Sequence, residues 1–168
     1  MKAQVIAGGI LLLMLSAHSQ ASSWRGIVPL KSTRSDVERL FGKPNGLGRY
    51  EFDSERAYIY YSKSPCDSPK DCECLVPNDT VLYIIVTPEI EMKFSKLKID
   101  RTKYQRKRST HLPTVMSYSN EDKGIIYTVD GDEVTEISYI PSERDCRKLL
   151  QENGRNKSKK KNLSMDGC

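Results

Sequence analysis

The sequence predicts an α+β fold: an antiparallel β-sheet with short helices packed on one face. Three observations carry that prediction. Ile27 to Pro44 reads as one capped two-turn helix with a built-in stop. A helix that short does not hold in water alone, so its apolar side needs a surface. Downstream, short runs of alternating apolar and polar residues recur between turn signals, as half-buried strands do. Asp130-Gly131 supplies a tight-hairpin signal between two of those runs.

Met1 to Ala21 reads as a secretory signal peptide. Lys2 gives a positive start, Val5 to Leu15 form an apolar stretch too short to span a bilayer with ease, and Ser19-Gln20-Ala21 offers small residues for cleavage. The expected product is an exported chain, periplasmic or extracellular, in which peripheral membrane association stays open. An uncleaved N-terminal anchor is the alternative. One α+β domain is expected over 22–154, interrupted by a Cys-containing insertion over 62–79 and followed by a disordered basic tail over 155–168.

The helix is specified locally. Thr33-x-x-Asp36 has capping-box form. Val37, Leu40 and Phe41 make one apolar face, Gly42 can close the helix, and Pro44 forbids its continuation. Strands are expected at Arg49 to Asp53 and at Ala57 to Tyr61, the latter with Tyr58 and Tyr60 on one face. Thr80 to Thr87 is a near-continuous apolar run, as in a central strand buried on both faces. Glu89 to Phe94 alternates, with Ile90, Met92 and Phe94 inward. Ser95 to Leu112 reads as a charged loop with one helical turn near Lys103. Thr114 to Ser119 and Ile125 to Val129 form a hairpin around a turn containing Gly124. Glu133 to Ile140 is a last strand, with Thr135, Ile137 and Tyr139 on one face. Ser142-x-x-Asp145 then caps a second short helix that Gly154 can stop.

The chain carries a net charge of +5. The excess lies from Arg147 onward, so the body is near neutral overall. Within the body, Lys93, Lys96, Lys98, Arg101, Lys103, Arg106, Lys107 and Arg108 form a basic run interrupted by one acid, Asp100. Such a run can meet an anionic lipid surface or be a solvated face. No nucleic acid partner is expected of an exported chain. Cys66, Cys72, Cys74 and Cys146 are disulfide candidates, because export favours disulfides over metal thiolates and the spacing is not that of a zinc site. Cys146 is expected to join Cys72 or Cys74, tying the C-terminal segment to the central loop.

No constellation of catalytic residues emerges. His111 lies in a charged loop setting, no Gly-x-Ser-x-Gly elbow is present, and the acid pairs sit at turns. No cofactor or metal is expected, and the chain is read as non-catalytic. The exposed face bearing Tyr58 and Tyr60 is the first candidate contact surface, since Tyr suits surfaces that are half apolar and half wet.

The order of helix, Gly-x-Pro stop, aromatic strands and closing hairpin resembles the SmpA/OmlA (BamE-like) family. That family carries a Gly-Met-Thr/Ser-x-x-x-Val-x-x-x-Leu-Gly-x-Pro pattern. Leu30-Lys31-Ser32-Thr33-Arg34-Ser35-Asp36-Val37-Glu38-Arg39-Leu40-Phe41-Gly42-Lys43-Pro44 looks like a loose version of it. The same architecture occurs, duplicated, in secreted β-lactamase inhibitor proteins. The resemblance implies a small helix-on-antiparallel-sheet module of the cell envelope that works by binding other macromolecules, and the expected partner is an envelope protein or an anionic lipid surface. A secreted inhibitor or adhesion-type protein is the alternative, and a small secreted hydrolase is the third reading.

Overall fold

The computed structural model describes residues 21–63 and 72–165, with the side chains of 73, 74 and 156–165 left aside. The signal-peptide reading and Cys66 therefore lie outside the described residues, as does the side chain of Cys74. Seven strands form one antiparallel sheet in the order β1-β2-β3-β7-β6-β5-β4. They are β1 (Arg49–Phe52), β2 (Glu55–Tyr61), β3 (Val81–Pro88), β4 (Gln105–Arg108), β5 (Val115–Asn120), β6 (Ile125–Asp130) and β7 (Glu133–Tyr139). Two helices accompany them, α1 (Arg34–Phe41) and α2 (Glu143–Met165). The fold is α+β, as the sequence predicts.

Helix α1 forms for the reasons its sequence offers. The Thr33 side chain accepts from the Asp36 amide while the Asp36 carboxylate accepts from the Thr33 amide. That backbone hydrogen bond, the Thr33 hydroxyl and Arg39 hold the Asp36 carboxyl below its ordinary range. Gly42 ends the helix at φ 76°, where its amide donates to the Glu38 carbonyl. Val37 is fully buried and Phe41 packs on Trp24, Tyr50 and Phe52. Leu40 corrects the expected face: it is 48% exposed. The aromatic cluster takes the strip through Val37 and Phe41, and Leu40 falls just outside it.

One hydrophobic cluster fills the covered face of the sheet. Ala57 and Ile59 of β2, Ile84 and Val86 of β3, Ile137 of β7 and Ile125 and Val129 of β6 point into it. Trp24, Ile27 and Val37 cover one half. Phe94 covers the other, stacked on Tyr118 at 4.2 Å and edge-on to Tyr127. The register shifts between Thr128 and Val129, so Val129 faces Val134. That bulge turns Val134 inward and leaves Thr135 exposed, where the plain alternation of β7 predicts Thr135 inward.

Three further expectations are corrected. Glu89 to Phe94 is not a strand. Only Lys93 makes a bridge, to Glu133, and Ile90 is 63% exposed. Phe94 does point inward, but from a 3₁₀ turn over Phe94–Lys96 that the Asp132 carboxylate pins through the Ser95 amide and hydroxyl. Secondly, β4 forms within the basic segment read as a loop, while the helical turn at Arg101–Lys103 falls where expected. Thirdly, α2 runs through Gly154 to Met165, so the backbone of the tail expected to be disordered is helical over 155–165. An interior Gly costs a helix only about 1 kcal/mol, and the Arg, Lys and Gln residues around it are good helix formers.

Candidate functional site

Among the described residues, the strand residues of the second face of the sheet lie outside the buried core, and α2 meets that face only near Tyr83. In register across it run Arg49, Tyr58, Ile85, Ser138, Ile126 and Ser119. Each is half-buried, and none belongs to the core. One step along, Tyr60 lies opposite Tyr83, their rings stacked at 4.2 Å with 18° between planes. Tyr60 is 41% exposed. The sequence therefore places Tyr58 and Tyr60 on the correct face of β2. It misses Tyr83, because a continuous apolar run gives no alternation from which to read which side chains stay half-exposed. The expectation that this central strand is buried on both faces is corrected too: Ile84 and Val86 are buried, whereas Tyr83, Ile85 and Thr87 are only half-buried.

Two concavities flank the stacked tyrosines, and Tyr83 lines both. The first, about 570 Å³, lies where α2 leaves the sheet and is lined by Cys72, Ile140, Pro141, Cys146 and Leu150 together with Tyr83. A disulfide between Cys72 and Cys146 forms one wall and ties the 3₁₀ turn at Cys72–Leu75 to α2. This is one of the two pairings expected for Cys146. The Asp145 amide donates to the Ser142 hydroxyl and Lys31 pairs with Asp145 at 3.0 Å, so the start of α2 is fixed on two sides. The second concavity, about 400 Å³, is lined by Arg34, Tyr50, Tyr60, Tyr61 and Lys63 among others.

The second concavity combines an anchored cation with aromatic faces. The Arg34 guanidinium donates to Asp79 at 2.9 Å and sits 4.0 Å from the Tyr61 ring centre, a cation–π contact. Asp79 holds Arg34 still more firmly protonated than usual. Burial, followed by the adjacent Tyr50, pushes the Tyr61 phenol well above its ordinary range. Tyr61 is thus a neutral group at any physiological pH, and aromatic faces with one fixed cation dominate this wall. Among the described residues, no group of three or more His, Cys, Asp or Glu could hold a metal ion.

Searches against family models, curated proteins and solved structures found no match.

The basic run divides into two parts. Lys93 pairs with Glu91 and Lys103 with Asp100. Arg101 donates to the Phe94 carbonyl at 3.1 Å and lies over its ring. Of these three, Arg101 braces the Phe94 turn, and the two lysines pair with acids close to them in the chain. Lys96, Lys98, Arg106, Lys107 and Arg108 are exposed and make no ion pair among the described residues. His111 is exposed, on the turn between β4 and β5. Among the described residues no helix is long and apolar enough to cross a membrane.

Proposed function

We propose that the protein is an exported, non-catalytic binding module of the cell envelope that captures another envelope protein on the sheet face bearing Tyr58 and Tyr60. One observation carries this reading: Tyr60 stands exposed and stacked on Tyr83, between two concavities, on a face whose strand residues all stay outside the core. Stacked, rotamer-poor aromatic side chains bury large area on binding at low entropic cost. The Cys72–Cys146 disulfide fits an oxidising compartment and so supports export. The resemblance of Leu30 to Pro44 to SmpA/OmlA proteins supports a role in envelope assembly.

The test is affinity capture from the native envelope with the purified chain and with a Tyr58→Ala/Tyr60→Ala double variant. Both side chains lie off the core, so the variant keeps its fold and its disulfide. Loss of the captured protein with an unchanged circular dichroism spectrum is expected. Equal capture by the two proteins overturns the reading.

A further inference from the structure

The two edges of the sheet are finished differently. At β1 the chain covers its own edge at Arg49: the Asn45 amide donates to the Arg49 carbonyl and the Arg49 amide donates to the Asn45 side chain. At β4 no comparable bond is made among the described residues. The ladder with β5 sets Gln105, Arg106, Lys107 and Arg108 opposite Ser119, Tyr118, Ser117 and Met116. Just beyond it, the Ser109 amide donates to the Val115 carbonyl. Hydrogen-bonded and non-hydrogen-bonded pairs alternate in an antiparallel ladder. Counting back two residues at a time from Ser109, Lys107 and Gln105 turn their backbone groups toward β5. Arg106 and Arg108 therefore aim both N–H and C=O outward, and neither has a backbone partner there among the described residues. All four residues of β4 are exposed.

Charge then selects what can use this edge. The β5 residues opposite include no acid, so Arg106, Lys107 and Arg108 receive no cross-strand compensation. Their side chains leave the edge on both faces of the sheet, Arg106 and Arg108 on one and Lys107 on the other. A second copy pairing edge to edge would set cations against cations, which disfavours it. An anionic lipid headgroup can accept from the two outward amides and meet the three cations, but it has few donors for the two outward carbonyls. An extended peptide supplies donors and acceptors at strand spacing, and acidic side chains on it would meet the cations of β4.

We propose that the free edge of β4 is a docking site for an extended acidic segment of another protein, which adds to the sheet as an eighth strand. The site lies at the far edge of the sheet from the β2 tyrosines and does not depend on them.

The probe is a fluorescein-labelled synthetic peptide of alternating Val and Glu, titrated into the full disulfide-bonded chain at low ionic strength and followed by anisotropy. Two N-methylated versions keep every charge: one blocks alternate amides in one register, the other blocks them in the opposite register. Binding of the plain peptide is expected, with one methylated register losing about tenfold or more in affinity and the other close to the parent. Arg106→Glu/Arg108→Glu should weaken the plain peptide by at least about tenfold, whereas Tyr58→Ala/Tyr60→Ala should bind it as the unaltered chain does. Equal affinity for both methylated registers overturns the proposal, since attraction is then charge alone. So does absence of peptide binding, including the case where phosphatidylglycerol vesicles bind and the peptide does not. The methylated peptides are read on the unaltered chain, so the outcome does not depend on the folding of a variant.

Discussion

Replacing Gly124 by Ala tests the packing of the β5–β6 turn against the end of β7. Gly124 adopts φ 64°, and a Cβ built there would stand 2.2 Å from the Ile140 carbonyl oxygen, 3.0 Å from the Ser142 amide and 3.1 Å from the Pro141 carbonyl carbon. All three are backbone atoms, so no side chain can rotate away. The hairpin would have to lift from the β7–α2 junction and lose the bond from the Ile140 amide to the Gly124 carbonyl, now 2.9 Å. A left-handed conformation costs Ala about 1–2 kcal/mol. The forced displacement adds about 1–3 kcal/mol and the lost hydrogen bond about 1 kcal/mol. The sum, about 3–6 kcal/mol, is a large part of the stability of a domain of this size. Gly131 is an internal control: its φ is 61°, almost the same, but nothing lies within 4 Å of its Cβ position. Gly131→Ala should therefore cost only about 1–2 kcal/mol. Urea denaturation of both variants with the disulfide intact, at unchanged m-value, measures the difference. Equal losses would refute the close packing of Gly124 against Ile140.

Two further outcomes are expected. The Cys72–Cys146 bond joins residues 74 apart in sequence, and closing a loop that long contributes about 4 kcal/mol in the chain-entropy account. A reductant, or the Cys72→Ser/Cys146→Ser variant, should lower the midpoint of thermal unfolding clearly, and an unmoved midpoint would count against the pairing. Acid should destabilise the fold through Asp36 and Asp132. The Thr33 amide and hydroxyl hold the first below its ordinary value, and the Ser95 hydroxyl and amide hold the second. Depressed carboxyl groups stabilise the native state above their unfolded pKa and lose that contribution as pH falls, here below about 4. Asp36→Asn/Asp132→Asn should flatten that acid limb, and an unchanged slope of stability against pH would exclude these two carboxyls as its source.

What the sequence made legible follows from how locally each element is determined. Helix α1 was readable because its cap, its buried Val37 and its stop at Gly42 all lie within ten residues of one another. The hairpin at Asp130-Gly131 was readable because Gly131 takes the positive φ that the turn demands. Strand β4 was not, since an edge strand exposed on both faces carries no apolar pattern. Ile90 and Met92 misled for the converse reason. They alternate as a strand does, yet only Lys93 finds a bridging partner on β7, where β3 and β6 already hold most of the ladder. Of the candidate site, Tyr58 and Tyr60 followed from period-two alternation. Tyr83 required knowing which face of β3 the core occupies, and that is decided by residues far away in the chain. The length of α2 is not legible because Gly154 reads as a stop, a role it takes only where the helix has another reason to end.

The strand order carries a consequence for how the chain reaches this state. Strands β1 to β3 follow one another in space as in sequence, and so do β4 to β7. These two meanders meet along a seam of only three residue pairs, Ile84 with Tyr139, Ile85 with Ser138 and Val86 with Ile137. Each meander needs only local loop closure, whereas the seam joins residues more than fifty positions apart. Forming that seam is thus the expected slow step of folding. The Cys72–Cys146 bond spans the same junction, so an oxidised chain begins the search with its two halves already tethered, and a reduced one must find the register by diffusion.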